Sequence, residues 1–296
     1  MKRIDLHIHT TISDGTLTPM QVIDKASESK INTIAISDHD TIDAYNEELF
    51  EYAKKKNINL INAVEISTKS KKVGIHVLGY GFDLKNEKFK NKLLKIRNAR
   101  HEYLHNVNKK LSELGYKLNV EELDTIDAVT KAHIALDIIN NEQNHDKLVN
   151  EFGHIPNKGE FIETIMNENC VAYVKKNTVT PKEAADMIRE ANGKVVLAHP
   201  VAYEHEDNLT DEDILEIINE MKPDGLEAIY LYVDRNNKMF DETEKWKEFA
   251  RKNKLFITMG SDFHVKDNIR PEIGFINTEL SVEESLVNQI IKNVSK

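Results

Sequence analysis

Along the chain, short apolar or alternating runs trade places with stretches in which apolar residues recur at helical spacing. Residues 4–8 predict a strand, and Thr18-Pro19 then opens a helix, with Thr as N-cap and Pro in the first turn. A strand over 33–37, a helix over about 42–56 and a strand over 59–66 continue a βαβ rhythm. After a further strand over 74–82 the rhythm stops. Residues 87–114 read as one long helix ended by Gly115 at a C-cap position, and the segment to about 169 is also mainly helical. The alternation then resumes: helix 181–191 with Thr180 as N-cap, strand 194–198, helix 211–221, strand 225–232, helix 243–252, strand 255–261 and a helical tail from Val282. About seven strands, each followed by a helix or loop, predict an α/β barrel of parallel strands rather than an open sheet. Residues 1–84 and 169–296 would form the barrel domain, with residues 85–168 as an inserted helical subdomain.

Composition narrows the function classes. The 296 residues carry 40 Lys+Arg against 50 Asp+Glu, and a net charge of −10 disfavours a protein built to coat duplex DNA. Hydrophobic residues make up 40% of the chain, enough for a packed core, so disorder of the whole chain is excluded. Cys170 is the single cysteine, which rules out an intrachain disulfide and a metal site built from several thiolates. The start, MKRIDLHIHT, lacks the unbroken apolar region of a signal peptide, and no run approaches the ~20 apolar residues that span a bilayer. The expectation is a cytoplasmic protein without a membrane partner.

What changes the picture is where histidines and carboxylates fall relative to the strands. His7 and His9 stand two apart on the first strand, so both side chains share a face. Asp14 follows in Ser13-Asp14-Gly15; His39 ends the second strand inside Ser37-Asp38-His39-Asp40-Thr41; Glu65 ends the third and His76 lies on the fourth. His199 follows Leu197-Ala198, and Asp262 and His264 end the last strand. Taken singly, each has an ordinary structural explanation, an Asx turn for Asp14 for example. Glu65 is harder to dismiss, because an unpaired carboxylate on an apolar strand is expensive to bury. In an α/β barrel strand ends converge on one rim, so all nine side chains would face a common cavity. Imidazole and carboxylate without thiolate suit Mn²⁺, Fe or Zn²⁺, and nine donors exceed one ion's needs, so two or three divalent ions are expected. Ions ~4 Å apart lower the pKa of a bridging water and neutralise a phosphoryl oxygen, which points to hydrolysis of an anionic ester by a metal-bound hydroxide.

Asp5-Leu6-His7-Ile8-His9-Thr10, Ser37-Asp38-His39-Asp40-Thr41, Val64-Glu65-Ile66-Ser67, Ala198-His199-Pro200 and Gly260-Ser261-Asp262-Phe263-His264 together resemble the motifs of the PHP (polymerase and histidinol phosphatase) family. The resemblance implies a distorted (β/α)7 barrel with a trinuclear metal centre, manganese first among the candidate metals. It also implies the grouping: His7, His9, Glu65 and Asp262 on one ion, Asp14, His39 and His264 on a second, and Glu65, His76 and His199 on a third, with Asp14, His39 and His264 as catalytic residues. The insertion, with Thr130-Lys131-Ala132-His133 and Val171-Ala172-Tyr173-Val174, is similar to enzymes that dephosphorylate nucleoside 3′,5′-bisphosphates and degrade short RNA from its 5′ end. That similarity implies substrate contacts from Arg100, Lys131 and His133. Lys131 stands where that branch carries Arg, which keeps the charge without the bidentate fork, and Tyr103 stands where a companion Arg is expected.

The expected activity is therefore a metal-dependent phosphoesterase, a phosphatase or 5′-3′ exonuclease, acting on phosphorylated nucleotides or short single-stranded RNA. Two alternatives stand beside it: histidinol-phosphate phosphatase, and a non-enzymatic, metal-stabilised binding module. Asp40 has two readings, as an orienting partner of a ligand histidine or as a residue at a helix N-terminus.

Overall fold

The computed structural model of the chain describes residues 3–126, 129–175, 177–234, 236–267, 269–275 and 283–295. Its strands are β1 (Ile4–Ile8), β2 (Thr33–Ile36), β3 (Asn59–Lys69), β4 (Gly74–Tyr80), β5 (Lys194–Leu197), β6 (Gly225–Ile229), β7 (Leu231–Val233), β8 (Met239–Asp241) and β9 (Phe256–Met259). Seven of them make one sheet in the order β1-β2-β3-β4-β5-β6-β9, while β7 and β8 pair as a separate antiparallel ribbon. The sheet is nearly closed. Ile8 and Phe263 form a parallel bridge, and the His9 amide donates to the Phe263 carbonyl at 2.8 Å. The α/β barrel is thus the observed architecture.

One strand corrects the all-parallel expectation. β4 runs antiparallel to both β3 and β5, with Glu65 opposite Leu78 and Ser67 opposite His76. The reversal has a consequence for the site. His76 lies near the start of β4, which in a parallel strand would be the end remote from Glu65; running backwards, β4 brings it to the same rim.

Local signals explain most of the helices. Pro19–Glu28 starts in a capping box in which Thr18 and Gln21 satisfy each other's backbone amides. Pro181–Glu190 does the same with Thr180 and Glu183. The second helix starts later than expected, at Glu47–Lys55, because Asn46 takes the N-cap and residues 41–46 form a turn that buries Ile42 and Ala44. Helix Pro200–Asp207 and the ribbon are additions to the sequence pattern, the expected strand over 225–232 being broken after Ile229. The terminal helix is Glu284–Val294; the expected start at Val282 lies outside the described residues. Among the described residues no helix is long and apolar enough to cross a membrane.

The chain divides into two compact units, residues 1–93 with 179–296, and residues 94–178. The expected boundaries, 84/85 and 168/169, fall earlier at both places. Helix Glu87–Glu113 belongs to the first unit for its first turns, where Phe89 and Leu93 are buried and Phe89 packs on Phe82 at 4.9 Å. In the first unit Ile61, Ala63, Leu78, Tyr80, Val196 and Met259 line the barrel, closed by Val287, Ile290 and Val294 of the terminal helix. A second layer, Val22, Ile23, Ile34, Ile36, Leu49 and Ala53, packs the first two helices against the sheet. The other unit has its own core, with Leu104, Val107, Leu111, Ile134, Ile138, Phe161 and Met166 at its centre.

Candidate metal centre and active site

On β3 the inward face reads Ile61, Ala63, Glu65: two apolar residues in the core and a carboxylate above them. All nine residues singled out from the sequence meet around that carboxylate. Glu65 Oε1 lies 3.3 Å from His7 Nε2, 3.0 Å from His76 Nδ1 and 3.2 Å from His199 Nε2. Its Oε2 lies 3.2 Å from His9 Nε2 and 3.2 Å from His39 Nδ1. Asp262 Oδ1 stands 3.2 Å from both His7 Nε2 and His9 Nε2, and those two nitrogens are 3.2 Å apart. On the other side of His9, Asp14 approaches His9 Nδ1 at 3.5 Å, His264 Nε2 at 3.4 Å and His39 Nε2 at 3.8 Å.

Among the described residues of this cluster, three groupings have ligand atoms close enough to share an ion: His7, His9, Glu65 and Asp262; His9, Asp14, His39 and His264; and His39, Glu65 and His76; a fourth, Glu204, His205 and Glu242, involves none of the nine. The first is the set the motif resemblance implies. The second adds His9 to the implied set. In the third, His39 shares Glu65 with His76, while His199 also sits 3.3 Å from His76 Nδ1.

Hydrogen bonds decide which way several imidazoles face. His7 Nδ1 lies 3.1 Å from both oxygens of Glu227, and His264 Nδ1 lies 2.8 Å from the Asp262 carbonyl. A carboxylate and a carbonyl only accept, so the protons sit on Nδ1 and the Nε2 lone pairs point into the cluster. The centre is thus a place where lone pairs face lone pairs. Asp262 Oδ1, His9 Nδ1 and His199 Nδ1 are buried there without a hydrogen-bond partner among the described residues. Buried polar atoms are rarely left so, and a set of imidazole nitrogens and carboxylate oxygens aimed at one another fits divalent cations.

The electrostatics agree. Burial acts on every group against its charge. At Glu65 it is outweighed by His76, His7 and His39, which hold the carboxyl well below the usual carboxylate range. Against burial, His7 and His264 hold Asp262 well below that range, and His39 and His264 lower Asp14. In return, against burial, Glu227, Asp262 and Glu65 raise His7 well above the ordinary imidazole value, and the neighbouring carboxylates of Asp262 and Glu65 push His9 up to about 10. His39 goes the other way, because there burial wins. Protons and cations therefore compete for the same lone pairs.

A PHP domain family model matches residues 5–195. The chain belongs to the PHP domain family. It is similar to a 5′-3′ exoribonuclease of Haemophilus influenzae, 28% identical with 89% of this chain and 90% of that protein covered. It is also similar to a 3′,5′-nucleoside bisphosphate phosphatase of Chromobacterium violaceum, 25% identical over 93% of this chain and 91% of that one. Among solved structures, one from Bifidobacterium adolescentis, described as a metal-dependent phosphoesterase, superposes with a TM-score of 0.72 at 23% identity, covering 99% of this chain and 96% of that one. At that identity it speaks for the fold.

Within this PHP barrel the braces of the cluster were less legible than the cluster. Asp5 accepts from the Ser261 amide at 3.0 Å, the Ser261 hydroxyl at 2.6 Å and the Gly274 amide at 2.7 Å, tying β1 to the segment after β9. Asp38 accepts from the Thr10 amide, the Thr10 hydroxyl and the Ser13 hydroxyl, each at 2.7 Å. Tyr230 donates to Asp262 Oδ2 at 3.1 Å, and Tyr203 accepts from the His76 amide at 2.8 Å. Asp40 precedes no helix; in a left-handed conformation (φ 54°), its amide donates to the Glu65 carbonyl and its carboxylate accepts from the Ser67 amide at 2.9 Å. It orients the Glu65 strand end. Glu227 carried the same signal that drew attention to Glu65, a carboxylate in an apolar strand.

The three candidate substrate contacts lie in the second unit. Arg100 is buried, with Nη1 3.5 Å from the Val129 carbonyl. Lys131 Nζ donates to Asn167 Oδ1 at 2.9 Å. His133 closes a capping box with Thr130, whose amide donates to His133 Nδ1 at 3.1 Å.

Proposed function

We propose that the protein is a metal-dependent phosphoesterase that removes terminal phosphates from nucleotides, nucleoside 3′,5′-bisphosphates among them, or from short 5′-phosphorylated RNA. The observation that carries the reading is Glu65, a buried carboxylate whose two oxygens serve different sets of imidazoles, a donor arrangement that would suit more than one divalent ion. His7, His9, Asp14, His39, Glu65, His76, His199, Asp262 and His264 would hold two or three divalent ions, with Mn²⁺ the first to try. When bound, such ions supply positive charge against phosphoryl oxygens and acidify water.

The rest is the chain's own work. His7 and His9 are fully buried, whereas Asp14, Asp262 and His264 are each about one-fifth exposed and His76 about one-third. The side defined by Asp14, His264 and His76 is therefore where a phosphate arrives, and Asp14, His39 and His264 are the proposed catalytic group. Asp5, Asp38 and Tyr230 hold the loops rigid, which keeps the donors in place while the reacting groups come and go. Arg100, Lys131 and His133 are proposed as contacts to a remote part of the substrate, from the resemblance of the insertion and the activities of the relatives.

The deciding experiment compares turnover, under Mn²⁺, of a nucleoside 3′,5′-bisphosphate, a 5′-phosphorylated trinucleotide and histidinol phosphate. Hydrolysis of either of the first two is expected. Activity on histidinol phosphate alone would overturn the reading, and fewer than about two ions bound per chain would favour a binding module.

A further inference from the structure

Glu227 stands outside the nine residues of the cluster, and we propose that it is a positioning residue that couples two of the metal subsites, by fixing the proton of His7 on Nδ1 and the backbone of His199. The proposal rests on reading the cluster as a metal centre. Glu227 is buried on β6, the strand between β5, which delivers His199, and β9, which delivers Asp262. Both of its oxygens lie 3.1 Å from His7 Nδ1, and Oε2 also accepts from the His199 amide at 2.9 Å.

Each bond has a distinct effect. Because a carboxylate cannot donate, His7 must carry its proton on Nδ1, which leaves Nε2 free toward Glu65 and Asp262. His199 precedes Pro200, a position that favours extended backbone, yet its φ is 23°. The hydrogen bond its backbone N–H donates to Glu227 secures that conformation, in which His199 Nε2 lies 3.2 Å from Glu65 Oε1. Space for the pair is made at Gly260, where a Cβ would come within 2.7 Å of Glu227 Oε1 and 2.2 Å of His7 Cβ. One side chain thus sets the direction of a lone pair in the Asp262 grouping and of another beside His76.

Glu227→Met keeps the length of the side chain and removes both acceptors, so neither His7 Nδ1 nor the His199 amide keeps its partner. Mn²⁺ titration of the full-length chain, with free ion counted by electron paramagnetic resonance, is expected to show affinity reduced about 10–100-fold. Unchanged affinity and stoichiometry would overturn the proposal while the unaltered chain still hydrolysed the bisphosphate, leaving the phosphoesterase reading in place. A second measurement needs no variant: ¹⁵N ring shifts of the Zn²⁺-loaded protein should show His7 protonated on Nδ1, and a proton on Nε2 would overturn the proposal by itself. If the unaltered chain bound neither Mn²⁺ nor Zn²⁺, the metal reading would fall and this inference with it.

Discussion

The two units solve opposite problems. The inserted unit is an ordinary helical core: Leu104, Val107, Leu111, Ile134, Ile138 and Phe161 are fully buried, and Thr130, Asn119 and Asn157 cap its helices. The barrel unit also has such a core, but above it Asp5, Asp38, Glu65 and Glu227 are buried carboxylates, served by amides, hydroxyls and imidazoles. Three residues of that rim, Asp40, His199 and Asp262, hold left-handed backbone that side chains normally avoid. The comparison teaches where each part draws its order: the insertion from transfer of apolar surface, the rim from polar groups that fix one another and offer donor sets suited to cations.

The largest expected effect lies at the rim. Glu65→Ala removes the carboxylate that faces five imidazoles, and phosphoesterase activity should fall below detection together with Mn²⁺ binding, measured by turnover and titration. Asp14→Ala and His264→Ala each vacate one ligand position, so each should lose at least the roughly 10–100-fold that outer partners cost while the circular dichroism spectrum stays as it was. Near-parental activity in either variant would remove the second ion from catalysis.

In the insertion, Leu111→Ala should cost about 2–5 kcal/mol of stability, read by denaturant unfolding. Mn²⁺ affinity should hold steady under folding conditions. A matching loss of affinity would break the contrast between the units.

The pH response sharpens it further. His9 is pushed up to about 10 and His7 well above its usual value, so in the metal-free chain both imidazoles hold protons at neutral pH. Cation binding needs them neutral, so affinity should weaken as pH falls and keep rising through neutrality. Calorimetry at pH 7 in buffers of different ionisation enthalpy should detect release of about one to two protons per chain on loading, and no release would contradict the ligand assignment. The smallest effects return to the insertion: Thr130→Ala should cost about 1 kcal/mol through loss of the cap, seen as a lowered unfolding midpoint. Lys131→Ala should raise KM more than it lowers kcat if the ammonium grips a remote phosphate, and unchanged kinetics would remove it from the substrate site.

Much of this is legible in the amino-acid sequence. Strands leave a period of two and helices a period near four, and most of the nine donors stand at strand ends or in the adjoining loops, where that pattern breaks off. What the pattern could not carry was direction. β4 has the same apolar character whichever way it runs, so its reversal, and with it the reason His76 reaches the rim, appears only in the pairing. Braces were hidden for a related reason: Asp5 gains its role from Ser261 and Gly274, partners that sequence distance conceals. The late start of helix Glu47–Lys55 reflects burial of Ile42 and Ala44 beneath a turn, a tertiary preference that outweighs helical spacing.

Asp5 and Ser261 are 256 positions apart, and the bond between them joins the first strand to the segment after the last. A ribosome releases His7 and His9 long before Asp262 and His264 exist, so the nascent polypeptide carries half a chelator with nothing to close it. Assembly of the pocket is thereby deferred until residues 262–264 have been synthesised, and any truncation upstream of residue 262 yields a product unable to complete it, however much of the protein has already folded.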